Sequence, residues 1–376
     1  MVGNKIGNTE VTPQGIWPIV KSLLKRDGPR APTVVHGASG LKFHPFEKAN
    51  EIADCLEIQF TPHVLCDKNH EWQVEARVQA LLETIDDNPP QRIRPCDIQK
   101  LINSLKLQKA CGIDGIPNEC LRHLARRPFV HLTQLFNHCL RLSHFPNTWK
   151  EAKVITLPKP SKDRKFLQNL RTISLLSTTG KLFKKVILKL LQKHIDERDL
   201  LSASWFEFHA CRSMTLQCVR LADHVTLNFN NKMSTSTVFL DIEKAFDTTW
   251  HSGLLYKSSK LQFLNSLTKL IGSFLSQRKF RVSVEGEMST PREMQSGVPQ
   301  GLVLSHTLFS LYINDAPQTH GVHLAPFADD TCPYTTDGKE GFIVRKLQRG
   351  LSSMETWFER WNIKINEDKT WGLFLL

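Results

Sequence analysis

Two stretches of the chain carry apolar residues at steps of three or four, which is the spacing of one face of an α-helix. The shorter stretch covers residues 181–190 and the longer one covers 342–361. Their apolar positions are Leu182, Phe183, Val186, Ile187 and Leu190, then Ile343, Leu347, Leu351, Met354, Phe358 and Trp361. We therefore predict two helices packed against a core. The cations that fall largely outside the first apolar face are Lys181, Lys184, Lys185 and Lys189.

A short β-prone run, Val238 to Leu240, ends at the carboxylate of Asp241. A buried strand that ends in an aspartate is a common way to place charge in a cleft. The same pattern also describes ordinary strand ends, so taken alone it leaves a purely structural role open.

Two adjacent aspartates, Asp329 and Asp330, lie between apolar flanks in the hexamer from Phe327 to Cys332. Like charges at this spacing are costly in a partly buried site unless a cation neutralises them. Because neighbouring side chains of a strand point to opposite faces, only one aspartate can face a site squarely, and we expect it to be Asp329. A solvent-exposed turn between two short strands is the alternative.

Between these acidic elements, a loop with Gly297, Pro299 and Gly301 opens a predicted helix whose apolar positions include Leu304 and Leu308. Glycine lets the backbone approach a ligand closely, and the start of a helix favours anions. Such a loop is a weak signal by itself. Its position between two carboxylate elements adds weight, since a two-metal site needs both acids and a surface for a polymer chain.

The composition adds a strong positive charge, with 49 Lys and Arg against 37 Asp and Glu and a net charge of +12. This excess favours an anionic partner, with nucleic acid ahead of a membrane surface. The segment Lys150–Lys193 holds twelve of the cations and two acidic residues. Prolines interrupt its first part, from Lys150 to Arg171, and this pattern predicts two strands joined by a cationic loop. Phosphate contact and a solvated surface are both compatible with this charge run.

The chain has no run of 18 apolar residues, and its first residues lack the apolar core of a secretory signal. Its nine cysteines form no C-x-x-C pair, which fits neither a disulfide framework nor a zinc ribbon. We therefore expect an intracellular protein with no membrane partner.

Six blocks of the chain, read in order, resemble successive blocks of the reverse transcriptase of jockey-like non-LTR retrotransposons. They are FPNTWKEAKVITLPKPSK (145–162), LRTISLLSTTGKLFKKVI (170–187), VFLDIEKAFDTTWHSGLLYK (238–257), SGVPQGLVLSHTLFSLYINDAP (296–317), FADDT (327–331) and KINEDKT (364–370). The resemblance covers about residues 101–376. Residues 1–100 are similar to the region between endonuclease and polymerase in those elements.

The resemblance implies an α+β fold of the right-hand polymerase type, with an antiparallel palm sheet packed on helices. Fingers and palm would occupy residues 101–376, and residues 1–100 would form an N-terminal region. Because the chain stops soon after the last block, we expect the thumb to be missing, together with an endonuclease and a Cys/His knuckle.

The resemblance also implies RNA-directed DNA synthesis, with an RNA template, a DNA primer and deoxynucleoside triphosphates as partners and the nucleus as its place. Asp241, Asp329 and Asp330 would be the catalytic residues and would hold two Mg²⁺ ions, for which Mn²⁺ is a substitute. Carboxylate oxygens are the ligands that Mg²⁺ prefers.

Further roles follow from the same resemblance. Phe246 would stack under the sugar and disfavour a 2′-hydroxyl, with core packing as its alternative. Gln300 and Gly301 would contact the template and the incoming nucleotide. Lys159 and Arg171 would grip the triphosphate or the template, and Arg171 is favoured because a guanidinium binds phosphate bidentately. Lys369 would donate a proton to the leaving pyrophosphate.

Several positions depart from the family pattern. Thr172, Leu302 and His306 stand where the family shows Pro, Ser and Pro. Pro326 and Pro333 each remove a backbone donor near the aspartate pair, and either one can distort the hairpin that aims Asp329. A second interpretation is therefore a catalytically inactive remnant that only binds nucleic acid. A third, an unrelated two-metal enzyme such as a nuclease, requires the order of the blocks to be a coincidence.

Overall fold

In a computed structural model of the chain, the described residues are 34–37, 40–63, 67–84, 91–159, 163, 165–198, 200, 214–298, 303–327 and 330–375. Their helices are α1 (Pro45–Gln59), α2 (Lys68–Glu83), α3 (Pro95–Asn103), α4 (Asn118–Arg122), α5 (Arg126–Arg141), α6 (Thr178–Arg198), α7 (Met214–Asn230), α8 (His251–Lys260), α9 (Asn265–Leu275), α10 (Val303–Ile313) and α11 (Glu340–Arg360). The expected mixture of helix and sheet is confirmed. None of these helices has both the length and the apolar character needed to cross a lipid bilayer.

The strands of the described residues form three sheets. They are β1 (Val35–Gly37), β2 (Gly40–Lys42), β3 (Glu151–Pro158), β4 (Leu170–Leu175), β5 (Ser234–Asp241), β6 (Arg278–Val284), β7 (Glu287–Met288), β8 (Arg292–Met294), β9 (His323–Phe327), β10 (Asp330–Asp337) and β11 (Trp371–Leu375). One sheet is the pair β1-β2, the second has the order β4-β3-β6-β7 with β8 beside β6, and the third has the order β11-β5-β10-β9. All three pairings within the third sheet are antiparallel.

The described residues divide into two compact units. The first contains the residues up to Cys55, with Val154–Ile173 and Val282–Thr290. The second contains Leu56–Lys153, Ser174–Arg281 and the residues from Pro291 onward, and therefore the whole β11-β5-β10-β9 sheet.

The first unit contains the connection between β3 and β4, and these two strands confirm the strand part of the prediction; Lys162 and Arg164 of the connecting loop lie outside the described residues. The Lys159 amide donates to the Asn169 carbonyl at 2.8 Å at the base of this connection. At the other end, the His36 amide donates to the Lys165 carbonyl at 3.0 Å, and the His36 ring stacks on Phe166 at 5.0 Å.

The core of the second unit is rich in aromatic residues packed edge to face or at a tilt. Phe183 of α6 lies 5.0 Å from Phe136 and 5.6 Å from Phe145, centroid to centroid, and Phe145 lies 5.1 Å from Phe274. The two helices predicted from apolar spacing are α6 and α11, and both are confirmed. Ile343, Leu347, Met354 and Phe358 of α11 are buried, as a core-facing helix requires.

A buried lysine ties three helices of this unit together. The Lys257 ammonium on α8 donates to the Tyr312 carbonyl at 2.6 Å and to Asp315 Oδ1 at 2.5 Å. It also lies 3.8 Å from the centroid of the Trp361 ring, a cation-π distance. Burial lowers the pKa of Lys257 to about 7, against the raising effect of Asp315.

The prediction that Lys184 lies outside the apolar face of α6 is wrong, because Lys184 is buried and its ammonium lies 5.0 Å from the Phe274 ring centroid. The helix packs against both α10 and α3, so its buried surface is wider than one stripe. Burial, with the charge of Arg278, holds the pKa of Lys184 well below its usual range. Lys150 is buried as well, so Lys150–Lys193 is not one continuous exposed cationic surface.

Candidate active site

Asp241 and Asp330 lie directly opposite each other at one end of the third sheet. Asp241 is the last residue of β5, Asp330 is the first residue of β10, and the antiparallel register pairs their Cα atoms. Opposed residues of an antiparallel pair project to the same face of a sheet. Two carboxylates that are 89 positions apart in sequence therefore lie side by side at the same end of the sheet.

A cation already lies on one of these carboxylates. The Lys369 ammonium is 3.2 Å from Asp241 Oδ2, and its position is set by the 3₁₀ turn Glu367–Lys369. The Asn366 amide at this turn donates to the Asp241 carbonyl at 2.8 Å. The Lys369 side chain is 67% exposed and that of Asp241 is 27% exposed, so this ion pair contributes little to stability.

The donor set suits magnesium, because both groups are carboxylates at a strand end that already attracts a positive charge. Among the described residues, no group of three or more His, Cys, Asp or Glu side chains forms a metal cluster. Asp329 lies outside the described residues, so its selection as the inner ligand stays a prediction. Within the described part of the chain, Asp330 is the aspartate that faces Asp241.

A cavity of about 350 Å³ adjoins the two carboxylates. Asp241, Asp330 and Lys369 line it on one side, and Phe239, Trp371 and Gln217 contribute to the rest of its wall. The rings of Phe239 and Trp371 are stacked, with centroids 4.7 Å apart and planes 21° apart. The sheet end therefore combines charge with an aromatic surface.

The two prolines near the aspartates do not prevent the hairpin. Pro326 lies on β9 and pairs with Thr331 of β10. Strand β9 is at the edge of the sheet, where a missing backbone donor is tolerated. Pro333 lies on the inner strand β10, and the β5 register passes from Thr331–Leu240 to the next pair at Tyr334–Thr237. The Thr237 hydroxyl donates to the Pro333 carbonyl at 3.2 Å within this gap. Strand β10 thus keeps the register that pairs Asp330 with Asp241.

Phe246 follows the site on the turn after β5. Its ring lies 5.1 Å from Phe309 and 5.0 Å from the imidazole of His306, centroid to centroid, and it is partly buried against the core. These contacts are those of the core-packing alternative. The proposed contact with a sugar stays a prediction.

The first residues of the glycine loop, Ser296 to Val298, are pinned to the turn after β5, whereas Gln300 and Gly301 lie outside the described residues. The Gly297 amide donates to the Thr249 carbonyl at 2.9 Å, and the Val298 amide donates to the Phe246 carbonyl at 2.6 Å. His251 Nε2 donates to the Gly297 carbonyl at 2.8 Å. The start of this loop is therefore fixed relative to the strand that carries Asp241.

Asp247 is a buried carboxylate beside this loop, and no sequence pattern indicated it as a site residue. Gln59 Nε2 donates to Asp247 Oδ2 at 2.6 Å, and the buried Arg278 guanidinium exerts an attractive charge on it. Burial nevertheless prevails and raises the pKa of Asp247 to about 6. Gln59 lies 188 positions away in sequence, so no local pattern indicates this contact.

We expect Asp247→Asn to remove a pH dependence of stability between about pH 4 and pH 6. The pKa of Asp247 is about 6 in the folded chain against an ordinary 3.8, so the folded state binds the proton more tightly in this window. Its contribution to the free energy of unfolding is present below about pH 4 and is lost as pH rises through 6, by roughly 3 kcal/mol at most. Urea unfolding at pH 4, 5, 6 and 7 measures it.

The comparison is the difference in unfolding free energy between the original chain and the variant. This difference should decrease from pH 4 to pH 7, and the same change at the exposed Asp114 serves as the control. A difference for Asp247→Asn that does not vary with pH would contradict the assignment.

The two predicted finger residues belong to the first unit. Lys159 closes the β3-β4 connection through its backbone, and Arg171 is exposed on β4. Their contacts with triphosphate or template stay predictions.

The candidate site lies within the part of the chain that matches a known family. A family model described as "Reverse transcriptase (RNA-dependent DNA polymerase)" matches residues 157–373, which include β5, β10, the glycine loop and Lys369. The chain belongs to this reverse transcriptase family.

Two of the relatives carry names of polymerases from mobile elements. The chain is 32% identical over 368 residues to "Probable RNA-directed DNA polymerase from transposon BS" of Drosophila melanogaster, covering 94% of this chain and 40% of that protein. It is 31% identical over 375 residues to "RNA-directed DNA polymerase from mobile element jockey" of the same species, covering 97% and 40%. The resemblance to jockey-like elements is thus confirmed, and the chain spans about 40% of the length of these relatives.

Proposed function

We propose that this chain carries the polymerase of a jockey-like non-LTR retrotransposon and extends a DNA primer by copying an RNA template with deoxynucleoside triphosphates. The single observation that carries the proposal is the opposition of Asp241 and Asp330 on neighbouring strands, inside the span matched by the reverse transcriptase family. In this proposal the β11-β5-β10-β9 sheet is the palm, the nucleus is the place of action, and the cationic β3-β4 loop belongs to the fingers.

Asp241 and Asp330, with Asp329 beside them, would hold Mg²⁺, and Mn²⁺ would substitute for it. Two such ions, when bound, lower the pKa of a primer 3′-hydroxyl and neutralise charge on the triphosphate. Asp241 supplies a carboxylate oxygen, and the Asn366 amide holds the backbone of this residue through its main-chain carbonyl. Lys369, whose ammonium lies 3.2 Å from Asp241 Oδ2, would give its proton to the leaving pyrophosphate.

The remaining residues position the substrates. Gln300 and Gly301, which follow the pinned segment Ser296 to Val298 in sequence, contact template and nucleotide. Phe246 limits space at the sugar while resting on Phe309. In sequence terms, residues 101–376 supply fingers and palm, and residues 1–100 supply an N-terminal region.

Primer extension tests the proposal. The purified chain is incubated with a DNA primer on an RNA template in Mg²⁺, with each deoxynucleotide supplied singly and all four supplied together. We expect incorporation to follow the template sequence and to stop on addition of a chelator. Incorporation that ignores the template, or none in either Mg²⁺ or Mn²⁺, would overturn the proposal.

We expect nucleic-acid binding to depend on the exposed cations of the first unit. Lys165 lies in the β3-β4 connection and Arg171 on β4, and both are exposed. Replacing both by Gln removes two phosphate contacts. The slope of log K against log salt should therefore become shallower by about 1.8, because fewer counterions are released on binding. Fluorescence anisotropy of a labelled template–primer at several salt concentrations measures this slope.

A matched double change at Lys109 and Arg141, two exposed cations of the second unit, removes the same charge elsewhere. The slope of log K against log salt should stay steeper in this control variant than in the variant that lacks the Lys165 and Arg171 charges. Equal slopes for the two double variants would contradict phosphate contact by the β3-β4 loop and would favour a solvated surface without nucleic-acid contact.

A further inference from the structure

The peptide group between Gly297 and Val298 is held at both of its polar atoms. Its N–H donates to the Phe246 carbonyl at 2.6 Å, and its carbonyl accepts from Nε2 of the His251 ring at 2.8 Å. Gly297 and Val298 are both buried, so a bond lost here leaves a polar atom without hydration. The position of this peptide therefore depends on the turn after β5 and on the side chain of His251.

The neighbouring bonds of the segment end on backbone acceptors. The Ser296 amide donates to the Phe60 carbonyl at 2.9 Å, and the Gly297 amide donates to the Thr249 carbonyl at 2.9 Å. A backbone carbonyl is present whatever side chain the residue carries. The bond from His251 differs, because it exists only while residue 251 carries a donor of the right reach.

The His251 ring donates as a neutral imidazole. A carbonyl oxygen can only accept, so the proton must lie on Nε2. Burial and the charge of Arg278 lower the pKa of His251 to about 4, against the raising effect of the Gly297 carbonyl. The ring is therefore uncharged near pH 7, and glutamine, whose amide nitrogen has a similar reach, is its neutral substitute.

We propose that His251 is a positioning residue for sugar selection, which holds the Gly297–Val298 peptide and thereby keeps Phe246 in place at the sugar of the incoming nucleotide. The Phe246 ring is supported by Phe309 at 5.1 Å, centroid to centroid, while the Phe246 carbonyl is anchored by the Val298 amide. The inference rests on the proposed polymerase function and deepens it, since His251 acts through Phe246.

Three changes at position 251 separate the hydrogen bond from the packing of the ring. His251→Leu removes the donor. His251→Gln keeps a neutral donor, and the cavity of about 890 Å³ that His251 lines leaves room for a flexible amide. His251→Asn carries the same amide on a chain one methylene shorter, so it tests the reach of the donor even where His251→Leu does not fold.

His131→Leu is the matched control for the loss of an imidazole. His131 is exposed on α5, and its Nδ1 lies 3.3 Å from Gln134 Oε1 of the same helix. The control therefore removes a histidine of the same unit that makes no contact with the turn after β5.

Equilibrium binding measures sugar selection without requiring catalysis. The chain is bound to an RNA template with a dideoxy-terminated DNA primer in Mg²⁺, and the next complementary deoxynucleoside or ribonucleoside triphosphate is titrated. The measured quantity is the dissociation constant of the ribonucleotide divided by that of the deoxynucleotide. The original chain and His131→Leu should both bind the deoxynucleotide more tightly.

His251→Leu and His251→Asn should each lower this ratio roughly tenfold, as expected when a buried carbonyl loses its donor and the competent arrangement becomes less populated. His251→Gln should keep the ratio of the original chain. A role in packing alone predicts the opposite grouping, because glutamine and asparagine both lack the ring.

Amide hydrogen exchange of Ser296–Val298 reports the same bond without any nucleotide. All three amides of this segment donate to backbone carbonyls. Their exchange should be roughly tenfold faster in His251→Leu than in His251→Gln, because the segment opens more often when the donor is lost. Equal exchange in these two variants would overturn the proposal.

The proposal is also overturned if the ratio is unchanged in His251→Leu and His251→Asn, if it falls equally in His251→Gln, or if the original chain binds both sugars equally. Each of these results can occur in a chain that extends primers. Sugar-selective binding can likewise occur in a chain that does not extend them. Failure of the positioning role and failure of the polymerase function are therefore distinguishable.

Discussion

Replacing Asp241 by Asn should lower the rate of RNA-templated primer extension at least about a thousandfold, as expected when a ligand of a catalytic metal loses its charge. The amide keeps the shape of the side chain and cannot supply the negative charge that holds a divalent cation. The Asn366 amide donates to the backbone carbonyl of Asp241, so the local fold should persist in the variant. Single-turnover extension at saturating template–primer measures the rate.

The control for this variant has two parts. Asp196→Asn changes an exposed carboxylate on α6 that bonds to Gln192 of the same helix, and it should extend at the original rate. Affinity of Asp241→Asn for template–primer without metal should stay within about twofold, since phosphate contacts dominate nucleic-acid affinity. An Asp241→Asn chain that extends primers at the original rate would remove Asp241 from the metal site.

Replacing Gly297 by Ala should destabilise the fold by about 3 kcal/mol or more, through a backbone clash and a strained conformation together. A Cβ atom at this position would lie 2.5 Å from the Asp247 carbonyl oxygen, and Gly297 has φ of +84°. Backbone cannot move aside as a flexible side chain does. The Ser296–Val298 segment would have to leave the turn after β5, so primer extension should fall together with stability.

Gly286→Ala is the matched control for the conformational part of this effect. Gly286 has φ of +95°, and no described heavy atom outside its immediate neighbours lies within 4 Å of the added Cβ. It should cost about 1 kcal/mol, the cost of the left-handed conformation alone. Urea unfolding of both variants measures the difference, and equal losses at the two glycines would contradict the close approach of Gly297 to Asp247.

Local periodicity predicted the elements of the fold that depend on neighbours in sequence. The apolar spacing of 342–361 predicted α11, and the run before Asp241 predicted the end of β5, because both are fixed by which residues must face a core. The burial of Lys184 could not be predicted in this way. It depends on a second packing surface on α6 that the spacing of apolar residues does not record.

The sequence predicted which acidic residues form the candidate site, but it did not predict how they are arranged in space. The sequence indicated Asp241 and the aspartate pair, and the resemblance indicated their chemistry. The opposition of Asp330 to Asp241 depends on strand register, and the pairing of Gln59 with Asp247 joins distant segments.

The most direct test of the central claim is whether the β5-β10 end binds a divalent cation. Titration of Mn²⁺ into the chain, followed by electron paramagnetic resonance, reports bound metal without requiring catalysis. We predict saturable binding that Mg²⁺ displaces and that is lost when Asp241 and Asp330 are both replaced by Asn. Mn²⁺ binding of equal affinity and stoichiometry in the double variant would contradict the claim.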